Sequence, residues 1–239
     1  MAARIETASA LTSHGSRKPT ARGLADAAVR TCLARSGKKP GDVDMLINTG
    51  IYREDNMGEP ALAALIQSAG GAMLLRWDET EAGFTDFGTE TFLEYQDLFV
   101  SGLVWQERQG LRGLGREAGQ HQMVIDSKPG YQDRLADCAA EAAHRFLRRL
   151  EMGVGDIDLL VPAPSSPGFV DSLRLRLGVP GDRVAYVAED LEGACTTASI
   201  AALQAAVRSG RLGEARNTLM LAAGAGITVT LAAYRQAPL

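Results

Sequence analysis

Cysteine is scarce in this chain. Cys32, Cys138 and Cys195 are the three among 239 residues, widely separated, with no CxxC pair and no even-numbered framework. That excludes a disulfide-stapled scaffold and suits reduced thiols in a cytoplasm. Histidine is as rare: His14, His121 and His144 have no carboxylate or cysteine at ligand spacing, so no metal is expected. Long apolar runs are missing too. The longest weakly polar stretch, Leu219 to Tyr234, falls short of the about 20 residues a bilayer span needs, and Gly224 and Gly226 interrupt it. Met1 to Glu6 lacks a basic segment followed by an apolar core, so neither a secretory leader nor a membrane partner is expected. Basic excess is also lacking. With a net charge of −4 and no Lys/Arg stripe interleaved with aromatics, nucleic acid is not an expected partner.

What the chain does have is bulk and repetition. At 46% hydrophobic and 23% charged it has a globular composition, long enough for one large core or two fused halves. The pattern favours two halves. Gly41-Asp42-Val43-Asp44-Met45-Leu46-Ile47 returns as Gly155-Asp156-Ile157-Asp158-Leu159-Leu160-Val161, and each copy follows a helix-like stretch opening Leu-Ala-Asp, at Leu24 and at Leu135. A repeated supersecondary unit implies a duplicated fold. The expected division is an N-terminal half with connecting strands over 1–129 and a C-terminal half over 130–239. After its apolar strand the second copy runs through a helix to Leu177, a strand near Val184 to Val187, the loop Gly193-Ala194-Cys195-Thr196, another helix and a terminal strand. The first passes from its strand to a helix over Pro60 to Gln67 and then directly to Ser68 to Leu75, which reads as a closing strand. A strand, a loop and a helix thus lack counterparts between 67 and 68. Loops at strand ends tend to carry chemistry, so this gap bears on function.

Local signals supply the remaining elements. Leu24, Ala28 and Cys32 recur at helical spacing over Thr20 to Ser36, and Gly37 and Pro40 end that segment. Val43 to Asn48 reads as a short apolar strand, and Pro60 stands early in its helix, where its missing N–H does no harm. Met73 to Trp77, Thr91 to Tyr95 and Met123 to Ile125 read as strands. Asp133 to Leu150 is amphipathic, with Leu135, Cys138, Ala142, Phe146 and Leu150 on one side and Arg145, Arg148 and Arg149 on the other. Strands alternating with helices predict an α/β chain with a mostly parallel sheet covered on both faces.

Several segments together resemble a known family. The Gly-Asp-x-Asp turn before an apolar strand in each half, Ala198-Ser199-Ile200, Gly210-Arg211-Leu212-Gly213 and the ending Ala222-Ala223-Gly224-Ala225-Gly226-Ile227-Thr228 resemble, in this order, ketoacyl-ACP synthase III of the thiolase superfamily. The resemblance covers residues 20–75 and 130–235. It implies a thiolase-like duplicated αβαβα layered fold with mixed sheets, here with an incomplete first half, and a homodimer or a heterodimer with a homologue. It also implies acyl transfer from acyl-CoA or acyl carrier protein through a cysteine thioester. Coenzyme A or phosphopantetheine would enter as part of the substrate thioester, and no resident cofactor is expected.

Carried over residue by residue, the resemblance fails at three places. The family's nucleophilic Cys would lie in the block missing between Gln67 and Ser68. Its His-Gln-Ala-Asn motif is replaced by Pro162-Ala163-Pro164-Ser165-Ser166, so the His position is Ala163, which can neither donate to a thioester oxygen nor accept a proton. The Asn of its Gly-Asn motif is Ala194, after Gly193. Loss of one such donor costs about 10²–10³ in rate, so standard decarboxylative condensation is not expected. Acyl transfer to an alcohol, an amine or a carrier needs only a thiolate at a helix N-terminus and backbone N–H donors.

Cys195, just ahead of the helix Thr196 to Arg208, reads as a packed, inert thiol, the alternative being a reactive nucleophile, and no catalytic residue is assigned; Cys32 and Cys138 read as buried structural thiols. Ser165, Ser166, Gly193, Thr196, Gly224 and Gly226 are candidate substrate-binding positions, the two serines alternatively forming a plain turn. Gly224-Ala225-Gly226 leads into β-branched residues rather than a helix, which favours close backbone approach over a dinucleotide cradle. His121-Gln122 copies half of the family motif but continues as Met123-Val124-Ile125, as a surface histidine would. Arg145, Arg148, Arg149, Arg174 and Arg176 offer either a docking face for an acidic carrier or a solvated helix face. Two functions follow from this. One is an acyltransferase in fatty-acid-like or secondary-metabolite biosynthesis, expected if the native protein carries a segment at 67/68 that brings the missing Cys; the other, expected if the gap is genuine, is a non-catalytic homologue that serves as a heterodimer partner or binds acyl thioesters.

Overall fold

The computed structural model describes residues 2–12, 21–47, 69–80, 82–107, 119–163, 165–166, 168–186, 196–224 and 226–236. The internal repeat survives in atomic detail. Pro40–Asp42 and Val154–Asp156 each form one 3-10 turn. The Asp42 carboxylate accepts the N–H of Lys39 at 2.8 Å, and Asp156 accepts that of Gly153 at 2.7 Å. An aspartate at the third position of such a turn reaches back to a donor the turn leaves unpaired, so this motif caps itself wherever it occurs.

Around these turns the chain runs β1 (Ala2–Thr12), α1 (Ala21–Ser36), β2 (Ala69–Asp78), β3 (Gly83–Thr91), β4 (Phe99–Glu107), β5 (Gly119–Ser127) and α2 (Tyr131–Arg149). It continues with β6 (Leu159–Pro162), α3 (Phe169–Leu177), α4 (Thr196–Arg208), a short α5 (Arg211–Glu214), β7 (Asn217–Gly224) and β8 (Thr228–Arg235). A four-stranded sheet has the order β3-β8-β7-β6, β1 pairs with β2, and β4 with β5. The sheets are mixed rather than mostly parallel: β6–β7 is a parallel pair, extended by a single parallel bridge from Leu160 to Val184, and the other pairs are antiparallel. Thr91 to Tyr95 is not one strand. β3 stops at Thr91, Phe92 turns into the core and donates its N–H to the Ile227 carbonyl at 2.9 Å, and Leu93–Leu98 coils as 3-10 helix.

Five layers result. Helix α1 packs on β1 and β2, α4 packs on β1, β2 and β6, and α2 packs on β7, β8 and α3. Alternation along the strands sorts two cores: Leu160, Leu219, Leu221 and Leu231 face α2 and α3, whereas Leu159, Val161, Ile5 and Ala8 join α4 in the central layer. Small residues let α4 lie between two sheets. Ala198, Ala201, Ala202 and Ala206 are buried, and Gly71 of β2 approaches so closely that a Cβ there would stand 3.0 Å from Ile200. Among the described residues no helix is long and apolar enough to cross a membrane.

The expected strand from Val43 does not form. Residues 43–47 carry no regular structure, and Met45, Leu46 and Ile47 are 74%, 79% and 74% exposed, while their counterparts Leu159, Leu160 and Val161 are 0%, 0% and 4% exposed. The difference is a neighbour. In the second half β7 lies beside β6, and Asp158 joins them: its carboxylate accepts the N–H of Asn217 at 2.9 Å and its own N–H donates to the Asn217 carbonyl at 3.0 Å. Among the described residues of the first half β2 pairs with β1 alone. Burying three such side chains is worth about 5–9 kcal/mol, a gain that only the second copy realises. The helix expected over Pro60 to Gln67, the end of the strand expected to Val187 and the loop at 193–195 lie outside the described residues.

Candidate functional site

The candidate positions converge on one end of the four-stranded sheet, where β6 and β7 finish. All four residues of β6 are buried, and Pro162 stands opposite Leu221 of β7. Ala163 follows, 6% exposed, donating its N–H to the Leu221 carbonyl at 2.7 Å. The position that the resemblance gives to histidine is therefore built into the sheet end with a methyl group, which has nothing to donate or accept. Ser165 Oγ donates to the Ala223 carbonyl at 2.5 Å and so ties the loop after β6 to the end of β7. Ser166 diverges from it, its Oγ donating to Oε1 of Gln132 at 2.5 Å in the first turn of α2. Both hydroxyl protons are thus directed at protein acceptors, and each oxygen keeps lone pairs with which to accept from a ligand.

The turn from β7 to β8 closes this end. Gly224 pairs with Thr228, and Gly226 has φ +67°, a conformation that glycine adopts freely. Ile227 also has positive φ, +41°, which is rare for a β-branched residue; complete burial and the bond from Phe92 hold it. The structure therefore brings together Ala163, Ser165, Gly224 and Gly226, and it directs Ser166 towards α2. Thr196 opens helix α4, which places a helix N-terminus in the central layer; its side chain and Gly193, Ala194 and Cys195 lie outside the described residues.

Two residues that the sequence did not single out tie neighbouring elements together. Gln204 is buried on α4, and its Oε1 accepts the N–H of Ala10 in β1 at 3.0 Å, locking the central helix to the first sheet. A lone glutamine in an otherwise apolar helical stretch was the available signal. Tyr186, the last described residue before 187–195, donates its hydroxyl to Asp171 at 2.7 Å, and Arg174 Nε donates to the same oxygen at 2.7 Å. The Tyr186 and Arg174 bonds hold the Asp171 carboxyl below its usual range.

Other candidates resolve differently. His121 stands on β5 opposite Trp105, in a two-stranded sheet separate from Ala163. Most of the basic face is paired: Arg145 with Glu90 and Glu141, Arg149 with Asp86, Arg174 with Asp171, and Arg176 with Asp133 and Asp137. Pairing cancels most of the field that would steer an acidic partner to it. Among the described residues no group of three or more His, Cys, Asp or Glu could hold a metal ion. Cys32 is buried, its Sγ 3.6 Å from the Thr7 carbonyl, and burial raises its pKa. Burial pushes Cys138 up to about 11, with Glu141 adding to the shift. Iodoacetamide at pH 8 is therefore expected to label Cys138 at least about a hundredfold more slowly than an ordinary thiol, since its thiolate population is that much smaller. Peptide mapping of the native protein checks this, and labelling as fast as in urea contradicts it.

The fold has known counterparts. Residues 147–236 match the family described as 3-oxoacyl-[acyl-carrier-protein (ACP)] synthase III C terminal. A beta-ketoacyl-[acyl-carrier-protein] synthase III of Acidiphilium cryptum is 30% identical over 212 residues, taking in 86% of this chain but 60% of its own length. One of the same name from Listeria welshimeri is 24% identical over 252 positions, with 86% of this chain and 80% of its own length. That share of 239 residues is about 206, so about 46 of the 252 positions stand opposite no residue here. Among solved structures, the priming β-ketosynthase of the R1128 polyketide pathway superposes with a TM-score of 0.67 at 18% identity, over 98% of this chain and 96% of that one. A match over residues 147–236, relatives sharing one name and a shared layered fold make this chain a ketoacyl-ACP synthase III-like protein of thiolase-like fold, which spans 60% of the length of its Acidiphilium relative.

Proposed function

We propose that this protein transfers acyl groups from acyl-CoA or acyl-carrier-protein thioesters without decarboxylative condensation, in fatty-acid-like or secondary-metabolite biosynthesis. One observation carries the proposal: β6, β7, the turn from β7 to β8 and α4 are in place, while the position that the resemblance gives to the residue polarising a thioester for decarboxylation is the buried Ala163. In the proposed reaction a thiolate attacks the thioester carbonyl, the C–S bond to coenzyme A or phosphopantetheine breaks, and that thiol leaves with a proton. The acyl group then passes to an acceptor alcohol, amine or carrier thiol. Backbone N–H groups and the start of α4 favour the negative charge that develops on the carbonyl oxygen. Cys195, one residue before α4 in the sequence, is the candidate for the acylated thiol in this reading.

Intact mass after exposure to acetyl-, hexanoyl- and malonyl-CoA tests this. An acyl increment that maps to Cys195 and vanishes in Cys195→Ser is expected, with no carbon dioxide released from malonyl-CoA. Release of carbon dioxide with a condensed product rejects the proposal. A stabilised but unmodified protein would mark a binding module instead. The exposure of Met45, Leu46 and Ile47 favours a second reading, a subunit completed by another polypeptide.

A further inference from the structure

We infer that the cavity beneath the C-terminal end of α2 binds a small monocarboxylate whose apolar part is about the size of a benzene ring, its carboxylate held by Arg235 and Asn217. The cavity lies at the start of β7, whereas Ala163, Ser165 and Gly224 gather at its end. Asn217 and Gly224, the two ends of that strand, stand about 24 Å apart at the usual rise per residue. The inference goes beyond the acyl-transfer reading and does not depend on it.

Local sequence makes the space. Val229, Leu231, Ala233 and Arg235 occupy alternate positions on β8 and so share the face that α2 covers. The first two fill the core, but Ala233 offers only a methyl group. The helix stops at this level. Helix α2 ends at Arg149, Glu151 takes φ +56°, Met152 donates its N–H back to the Leu147 carbonyl at 2.9 Å, and the chain departs into the turn Val154–Asp156. What remains between helix end and sheet is a cavity of about 140 Å³, walled by Leu147, Leu150, Met152, Ile157, Leu219 and Ala233. An apolar cavity of about 150 Å³ takes up benzene, which sets the size of the occupant's apolar part.

The mouth sets its charge. Asn217 and Arg235 both line the cavity and stand directly opposite each other across the β7–β8 pair. Asn217 Nδ2 donates one hydrogen to the Asp156 carbonyl at 3.1 Å, which fixes the amide and leaves its second hydrogen for a ligand. The Arg235 guanidinium has no hydrogen-bond or ion-pair partner among the described residues. The acidic groups of this end are engaged already. Asp86, which also lines the cavity, accepts from Arg149 at 3.0 Å and from the Phe87 N–H at 2.6 Å. Asp156 accepts the N–H of Gly153, and Asp158 that of Asn217. A cationic ligand would therefore meet a carboxylate that Arg149 has neutralised, whereas an anionic one meets a guanidinium and an amide hydrogen side by side. Charge-assisted bonds of this kind are the strong ones, and they leave the apolar remainder of the ligand directed at the cavity.

Benzoate is the probe. Titrated into the full chain with isotope-labelled methyl groups, it is expected to shift the methyl resonances of Leu147, Leu150, Met152, Ile157 and Leu219 together and saturably. Arg235→Gln alters an exposed side chain, so the variant keeps its thermal transition, and it is expected to bind benzoate at least tenfold more weakly. Benzyl alcohol, similar in shape and uncharged, is expected to bind the wild type at least tenfold more weakly than benzoate and to bind both proteins alike. Ala233→Leu fills the cavity and is expected to abolish binding of either compound; if that variant does not fold, Arg235→Gln and the benzyl alcohol comparison decide. Absent saturation overturns the inference, as does equal binding of benzoate to wild type and Arg235→Gln. Benzyl alcohol binding as tightly as benzoate overturns it by showing a merely apolar cavity. Shifts that spare the cavity methyls and appear at Ala163 and Ala223 overturn it by placing the acid at the other end of β7. Formation of an acyl adduct enters none of these readouts, so the two proposals fail separately.

Discussion

Replacing Leu160 with alanine is expected to lower the unfolding free energy by about 2–5 kcal/mol, whereas the same change at Leu46 shifts it by no more than about 0.5 kcal/mol. The two leucines occupy the same place in the repeated heptapeptide, each four residues past its capping aspartate. Leu160 is fully buried among Leu219, Leu221 and the side chains of α2 and α3; Leu46 is 79% exposed. Truncation at Leu160 loses the transfer free energy of the removed atoms and leaves a cavity that a β6 flanked by β7 and Val184 cannot close. At Leu46 there is no packing to lose. Urea denaturation at low protein concentration measures both. Equal losses would show that Leu46 is covered in solution, and the comparison would then have to be repeated as a function of concentration.

The contrast also marks how far the sequence reached. The heptapeptide disclosed the duplication, and its caps form as the residue types require, because an aspartate three residues into a turn finds its donor locally. Helices α1 and α2 followed from apolar periodicity for the same reason. What local pattern did not disclose was whether Val43 to Ile47 becomes a strand. Strand formation depends on a neighbour, and the neighbour that buries Ile157 to Val161 is β7, distant in sequence and without a counterpart between 67 and 68. The mixed character of the sheets escaped for a similar reason: alternation of helices and strands suggests parallel pairing, but β8 returns through a tight turn and β3 joins it across more than a hundred residues. At the site, Ala163 and the two serines were legible because a motif was replaced in place. The division of labour between Ser165 and Ser166 was not, since it turns on acceptors in β7 and α2.

The junction between the two sheets carries the other large effect. Substituting alanine for Gly83 is expected to cost about 2–6 kcal/mol, as the sum of two independent penalties. Gly83 begins β3 with φ +130°, a backbone conformation that L residues rarely adopt, and a Cβ there would lie 2.5 Å from the Ala3 carbonyl oxygen and 2.9 Å from the Ala2 Cβ. A flexible side chain could yield to such a contact, but a backbone carbonyl inside the β1–β2 pair moves only with its strand. The strain therefore passes into β1. Seven residues along, Ala10 donates its N–H to Gln204, so a shifted β1 disturbs the central helix α4. Gly155→Ala is the matched control: no atom outside its own surroundings lies within 4 Å of the added Cβ, and no positive φ is involved. A fall in thermal midpoint for Gly83→Ala with none for Gly155→Ala is expected, together with slower acyl-adduct formation in the first variant alone. If Gly83→Ala melts with the wild type, the crossing of β1 over β3 is looser than drawn. The central helix would then owe its position to the second sheet, through β6, rather than to both.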